Sequence, residues 1–463
     1  MKRYLSVILA AAFILSAAGC SASTAESYSS AINSAADMIT GDSAAGGAAM
    51  GGGAPATTGA AVPSDGMESS AAMYDEETDY SADIAFDATA DVMKSPEFEG
   101  IAEEPYYDDT MMPPDEPAIQ PQAGLLTGGE WNDNENWNDW VSLYQTHEDW
   151  NTYRDCWKVD FGIRHEVIVT AHGKPLEGAQ VVQRCCGNNG LNSAVTDNQG
   201  RAYLFVDESD DDSTHTIEVS YGEVRVLAEN VDMNSDGTYT VDMTDSLGQN
   251  EVYDIQALDL MLMIDTTGSM WDELAYIQAE LEDVISRVKQ ENANIPVRVS
   301  VNFYRDEQDD YVIREFDFTD DVDKALSDLR AQEAEGGGDF PEAVHTALNS
   351  AVKSHDWKEN STKLMFFVLD APPHEDAQII DEVNEKVELA AAQGIRIIPV
   401  ASSGIDKTTE YLLRTMAFRT GGTYTFLTDH SGIGGGHIEP TIGDYEVEKL
   451  NDMMVRVIGE YLE

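Results

Sequence analysis

The chain has 463 residues, of which 86 are Asp or Glu and 27 are Lys or Arg, giving a formal net charge of −59. That balance excludes electrostatic binding of nucleic acid as a default role, because tracking phosphates requires a basic face that releases counterions. At roughly 150 residues per domain the length allows about three units, and 42% hydrophobic residues suffice for packed cores in part of the chain.

Met1-Lys2-Arg3 is a short basic region, Leu5 to Leu15 an apolar run, and Ser16-Ala17-Ala18-Gly19-Cys20 ends in small residues before a cysteine. Together they read as an export signal whose apolar run is short for a bilayer-spanning helix. The ending resembles the lipobox of bacterial lipoproteins, with Ala17 where Leu is more usual. The resemblance implies a signal peptide over 1–19 and a diacylated Cys20 that anchors the protein to the extracytoplasmic face of a cell membrane, at the cell surface or in the periplasm. Cys156, Cys185 and Cys186 then remain, an odd number for an oxidising compartment. A bridge from Cys156 to one of the adjacent pair leaves one thiol over. Adjacent cysteines rarely bridge each other, and no Cys-x-x-Cys spacing suggests zinc or redox chemistry.

Residues 20–124 are expected to be a disordered acidic tether. Ala, Ser, Gly and acids dominate, Met112 to Pro121 is rich in Pro, and Lys94 is the only Lys or Arg between Cys20 and Arg154. Such a stretch repels itself and lacks the apolar periodicity a core needs. Tyr74, Tyr80, Tyr106, Tyr107, Met111 and Met112 leave a sticky interaction segment open as the alternative to a plain linker.

A second unit is expected over 125–250. Trp131, Trp137, Trp140, Trp150 and Trp157 place five of the seven tryptophans close together, which suits a core edge or interface, with sugar stacking as the sharper alternative. Short alternating runs follow at His165–Ala171, Gln180–Gln183, Ala202–Val206, Thr214–Ser220 and Thr238–Met243, separated by turn signals as in a small antiparallel sandwich. Gly173-Lys-Pro-Leu-Glu-Gly-Ala179 and Thr196-Asp197-x-x-Gly200-Arg-Ala202 resemble the carboxypeptidase-regulatory-like, or transthyretin-like, sandwich. These are turn chemistry and speak for fold alone.

From 251 to 463 buried strands alternate with amphipathic helices. Ala257 to Ile264 is apolar enough for a central parallel strand, and Leu274, Ile277, Leu281, Val284, Ile285 and Val288 mark one face of a helix. Strands are expected at 297–303, 311–318, 363–369, 395–400 and 423–427, with helices at 322–332, 342–352, 379–393, 408–420 and 446–461. The fold class is therefore α/β, a doubly wound Rossmann-like domain preceded by a small all-β sandwich and a tether, with ligands expected at the carboxyl ends of the strands.

At the carboxyl end of the first of these strands stands Asp265-Thr266-Thr267-Gly268-Ser269-Met270. A carboxylate and two hydroxyls at alternate positions converge only if the strand stops and turns, giving a small hard-oxygen site suited to Mg²⁺. The loop Gly336-Gly337-Gly338-Asp339-Phe340-Pro341-Glu342 and Asp370, which closes the strand Leu364 to Leu369, offer further oxygen ligands. These three motifs, in this order between Gln256 and Glu463, resemble a von Willebrand factor type A domain with a metal-ion-dependent adhesion site. Thr267 stands where the signature more often has Ser. The resemblance implies direct cation ligation by Thr267 and Ser269, with Asp370 directly or through water and Asp265 mostly through water, and a partner's carboxylate completing the shell. The family's usual loop threonine is absent. The Gly338-Asp339-x-Pro341-Glu342 loop is instead similar to the integrin β-subunit version, which favours Glu342 over Asp339 as the fourth ligand.

Weaker signals are read as structural. Asp232-x-Asn234-x-Asp236-Gly237 begins like a calcium loop but has Met243 where that loop needs Glu, so it is expected to be a turn. His374 has no accompanying catalytic motif and is expected to be a loop residue beside the ion. Gly432 to Gly436 lacks the context of a phosphate cradle. The expected function is a lipid-anchored surface protein that binds Mg²⁺, with Mn²⁺ or Ca²⁺ as substitutes, and through it an Asp or Glu of a protein or extracellular-matrix ligand. An envelope-associated assembly scaffold is the alternative. A metal-dependent hydrolase is disfavoured because no base or nucleophile stands apart from the ligands, so the protein is not expected to be an enzyme.

Overall fold

The computed structural model describes residues 120–463 except 160–161, 186–188, 207–214, 233–234, 249–251, 253–254 and 256. The expected export signal, Cys20, the expected tether up to residue 119, and Cys186 lie outside the described residues. The described part starts with β1 (Thr127–Trp131), α1 (Trp137–Thr146) and α2 (Trp150–Trp157). Then come β2 (Ile163–Ala171), β3 (Lys174–Pro175), β4 (Gln180–Cys185), β5 (Asn189–Val195), β6 (Arg201–Val206), β7 (His215–Tyr221), β8 (Val224–Val231) and β9 (Gly237–Asp242). The rest alternates: β10 (Leu258–Asp265), α3 (Leu274–Glu291), β11 (Val297–Tyr304), β12 (Ile313–Arg314), α4 (Val322–Arg330), α5 (Val344–Asn349), β13 (Thr362–Leu369), α6 (Ala377–Gln393), β14 (Ile395–Ala401), α7 (Lys407–Arg419), β15 (Tyr424–Leu427), β16 (Glu448–Lys449) and α8 (Leu450–Glu460).

One mixed sheet runs in the order β12-β11-β10-β13-β14-β15-β1-β16. Strands β11, β10, β13, β14 and β15 are parallel, whereas β12 and β1 run antiparallel to their neighbours. The chain leaves β10 to one side for β11 and returns to the other side for β13, so the strand order reverses between β10 and β13. A cleft opens at such a point outside the carboxyl ends of the strands. Every residue of β10 is buried: Met261 and Met263 pack on one face, and Leu258, Leu260, Leu262 and Ile264 on the other. This is why the strand reads as a continuous apolar run. Apart from Asp265 at its end, its polar residue is Asp259, held by Arg298 at 2.6 and 2.8 Å and by the Ser361 hydroxyl at 2.9 Å.

Two expectations are corrected here. The strand expected over 311–318 shrinks to β12 and an isolated bridge between Val299 and Thr319. Side chains replace the missing ladder: the Phe316 amide donates to Asn302 Oδ1, and the Ser300 hydroxyl donates to the Phe316 carbonyl. The second correction concerns the Trp-rich segment, expected with the sandwich in a 125–250 unit. Residues 124–157 instead build part of the α/β body. β1 pairs with β15, and the amides of Gly124, Leu125 and Leu126 donate to the buried Glu280 carboxylate of α3 at 2.6 to 2.8 Å. Helices α1 and α2 lie over α7, with Trp140 edge-on to Trp150 and Phe418. The Arg414 guanidinium donates to Asp133 at 2.6 and 3.0 Å and lies over the rings of Trp140 and Trp150. All five tryptophans of this segment are buried, so they cover core and leave no face for stacking sugars.

Between α2 and β10, strand β2 pairs antiparallel with β6 and β3 and parallel with β9, and a second antiparallel sheet runs β5-β4-β7-β8. Val167, Val169, Val181, Ile217 and Val219 of the two sheets share one core. Phe205 of β6 meets Trp137 and Phe418, joining these sheets to the α/β body. Asp236 serves as a strut there, accepting from Trp137 Nε1 at 3.1 Å and from the Arg164 amide at 2.7 Å. Cys156 carries a free thiol.

Candidate metal centre

Three loops meet at the strand-order reversal. β10 ends at Asp265, whose Oδ1 accepts the Thr267 amide at 2.8 Å and the Thr267 hydroxyl at 2.7 Å. That turn brings Thr267 Oγ1 to 3.1 Å from the Ser269 hydroxyl, which in turn hydrogen-bonds Asp370 at the end of β13. The glycine loop closes the third side. The Gly268 amide donates to the Gly336 carbonyl at 3.2 Å, and the Gly337 amide donates to Asp309 Oδ2 at 2.8 Å. Gly336 and Gly337 both have positive φ, and a Cβ at Gly337 would press on the Glu342 carboxylate and Thr267. The Glu342 amide then donates to the Pro372 carbonyl at 2.9 Å, tying the glycine loop to the one that carries Asp370.

Of the expected site residues, the structure gathers Asp265, Thr267, Ser269, Glu342 and Asp370. Asp265, Thr267, Glu342 and Asp370 are buried, and Ser269 lies at the open side. Asp339 is exposed at the tip of the glycine loop and is not part of the gathered set, because the Pro341 turn carries Glu342 inward in its place. Thr266, next to Thr267, is taken up by the scaffold: its hydroxyl bonds to the Tyr304 carbonyl and the Tyr311 hydroxyl.

Among the described residues no three His, Cys, Asp or Glu side chains are arranged to hold an ion by themselves. The oxygens that fit a hard divalent cation here are mixed, with two hydroxyls beside carboxylates. Asp265 Oδ2, Glu342 Oε2 and Asp370 Oδ1 are each buried without a hydrogen-bond partner, and buried carboxylate oxygens are rarely left so. Burial raises the pKa of both Asp265 and Asp370, and the charge of Asp265 adds to the rise at Asp370. Burial, followed by Asp265, Asp306 and Asp370, pushes Glu342 up to about 9. Three acids from three loops are thus crowded where their negative charge is unpaired, and a dication would compensate it without protonation.

Sequence reasoning missed the loop after β11. Asp306 is buried and bonds His374 Nε2 at 2.9 Å, while Asp309 Oδ2 accepts the amides of Asp306 and Gly337. The acidic run Asp306-Glu-Gln-Asp-Asp310, at the carboxyl end of the strand beside β10, was the available signal. Across the site, Glu273 stands 3.0 Å from His437 Nε2, and Asp429 stands 2.8 Å from His437 Nδ1.

Residues 259–437 match the family model of the von Willebrand factor A domain, so this part of the chain is similar to domains of that family. β1, α1, α2, β16 and α8 lie outside the match. The chain is also similar to the putative ariadne-like RING finger protein R811 of Acanthamoeba polyphaga mimivirus, with 27% identity over 186 residues. That alignment takes in 37% of this chain and 18% of the viral protein, so the chain spans less than a fifth of that relative's length.

Proposed function

We propose that the protein is a lipid-anchored, extracytoplasmic binding protein whose A domain holds a divalent cation, Mg²⁺ above all, and through it one carboxylate of a protein or matrix partner. The observation that carries this reading is the set of three buried, unpartnered carboxylate oxygens beside the Thr267 and Ser269 hydroxyls at the strand-order reversal. Thr267, Ser269, Asp370 and Glu342 would hold the ion, and Asp265 fixes the Thr267 hydroxyl in place through its 2.7 Å bond. The bound ion would supply a positive centre that accepts and orients a partner's carboxylate. No catalytic step belongs to this reading. The scaffold beneath the site is preorganised, because the Gly268–Gly336 and Glu342–Pro372 hydrogen bonds fix the three loops against one another before any partner arrives. The anchor at Cys20 and the tether are part of the same proposal, resting on the lipobox-like sequence. The test is a Mg²⁺ titration of wild type beside Asp265→Ala. Saturable heat in the wild type alone supports the reading, and equal heats in both proteins would remove it.

A further inference from the structure

Four large hydrophobic side chains are strongly exposed among the described residues, and two of them flank this one site: Trp271 at 74% and Phe340 at 45%. Trp271 follows Ser269 by two residues on the turn after β10. Phe340 lies two residues before Glu342 on the glycine loop. Their loops are joined by the Gly268–Gly336 hydrogen bond, so both rings are carried by backbone that the site itself makes rigid. An indole left three-quarters exposed forgoes burial that the other tryptophans of the fold achieve, and paired exposed aromatics beside a polar centre are the anchors expected of an interface. The charge around them is one-sided. Glu335 and Asp339 are exposed on the loop that carries Phe340, Glu307, Asp310, Glu375 and Asp376 are exposed on the loops after β11 and β13, and the cationic Arg305 is buried and paired with Glu335 at 3.8 Å.

Resting on the cation-bridged reading above, we infer that the partner is a protein segment with a single carboxylate, flanked by a bulky apolar side chain that packs on Trp271 and Phe340 and by neutral or basic neighbours. The single acid meets the ion. Further acids would meet the like-charged rim, whereas Lys or Arg would meet opposite charge. The rim acids set the charge of the flanks and the two rings set their bulk, so specificity lies in residues the ion does not touch.

The test uses the whole chain, labelled, on an array of Asp-centred nonapeptides whose flanks are varied among Phe, Leu, Ser, Lys and Glu, in Mg²⁺ and in EDTA. Expected is Mg²⁺-dependent capture at least about tenfold stronger for Phe or Leu with Lys than for Ser or Glu flanks. In the Trp271→Ser, Phe340→Ser double variant this preference is lost while the Mg²⁺ titration heat is unchanged. Equal capture of Ser and Phe flanks, better capture of Glu flanks, or a preference that survives in the double variant would overturn the inference. Capture that ignores EDTA, or no capture of any peptide despite normal Mg²⁺ heat, would instead overturn the carboxylate-through-ion reading and this inference with it.

Discussion

Thr266 and Thr267 are adjacent and chemically identical, yet one hydroxyl faces the neighbouring strand and the other faces the site. Alternation along a strand end produces this split, and it makes the two residues separable by mutation. Thr266→Val removes the hydroxyl bonds to the Tyr304 carbonyl and the Tyr311 hydroxyl while the Thr266 amide still satisfies that carbonyl, and is expected to lower stability by about 0.5–1.5 kcal/mol with Mg²⁺ affinity little changed; Thr267→Val should do the reverse. Denaturant unfolding beside Mg²⁺ calorimetry checks both. Gly336, at positive φ with the Asp309 carboxylate where a Cβ would lie, is expected to resist substitution. Gly336→Ala should destabilise by about 1–3 kcal/mol and loosen the loop that carries Glu342, read as a lower Tm and weaker Mg²⁺ heat. His437 supplies a pH dependence. Burial lowers its pKa, but Glu273 and Asp429 outweigh burial and the net shift is upward. A raised folded pKa means the charged imidazole contributes fully below its ordinary value and is lost as pH rises through the folded one. Wild-type Tm is therefore expected to fall more than that of His437→Gln between about pH 6 and about pH 9, by a few degrees. Parallel curves would contradict this.

At the level of elements, the segment before β2 completes the α/β sheet. β1 covers what would otherwise be the open edge of β15, and the tryptophans of α1 and α2 bury one face of α7. A fragment beginning at 251 would expose that edge and the Arg414 guanidinium without Asp133. It is expected to aggregate or unfold non-cooperatively, while 120–463 folds; a cooperative, monomeric 251–463 fragment would show that β1 is dispensable. Within the full fold, Asp133→Ala leaves the buried Arg414 with the Thr441 carbonyl at 2.7 Å and a single carboxylate, Glu410, at 3.4 Å, and is expected to lose about 3 kcal/mol in thermal unfolding. The dense tryptophans pointed to a core edge, but the strand β1 was not legible beforehand. Thr127-Gly-Gly-Glu-Trp131 carries two glycines and no β-branched run, so local pattern hides a strand that exists only because β15 and β16 flank it. β10 and β13, buried on both faces, are the opposite case: burial forces the apolar run, and the run is the signal. Likewise Asp265, Thr267, Ser269 and Asp370 could be read because a strand end confines them, whereas Asp306 and Asp309 reach the site through a loop whose course no periodicity encodes.

Taken whole, the molecule concentrates unpaired negative charge at one mouth of a chain already at −59. Asp265, Glu342 and Asp370 are packed as though a positive charge belongs among them, and that is the central claim. Calorimetric titration of Mg²⁺ into EDTA-stripped residues 120–463, wild type beside Asp265→Ala, tests it most directly. Saturable heat with near one-to-one stoichiometry in the wild type, absent from a variant that keeps a cooperative unfolding transition, is the expected result. Heat that persists in the folded variant, or none in the wild type across millimolar Mg²⁺, would contradict the account.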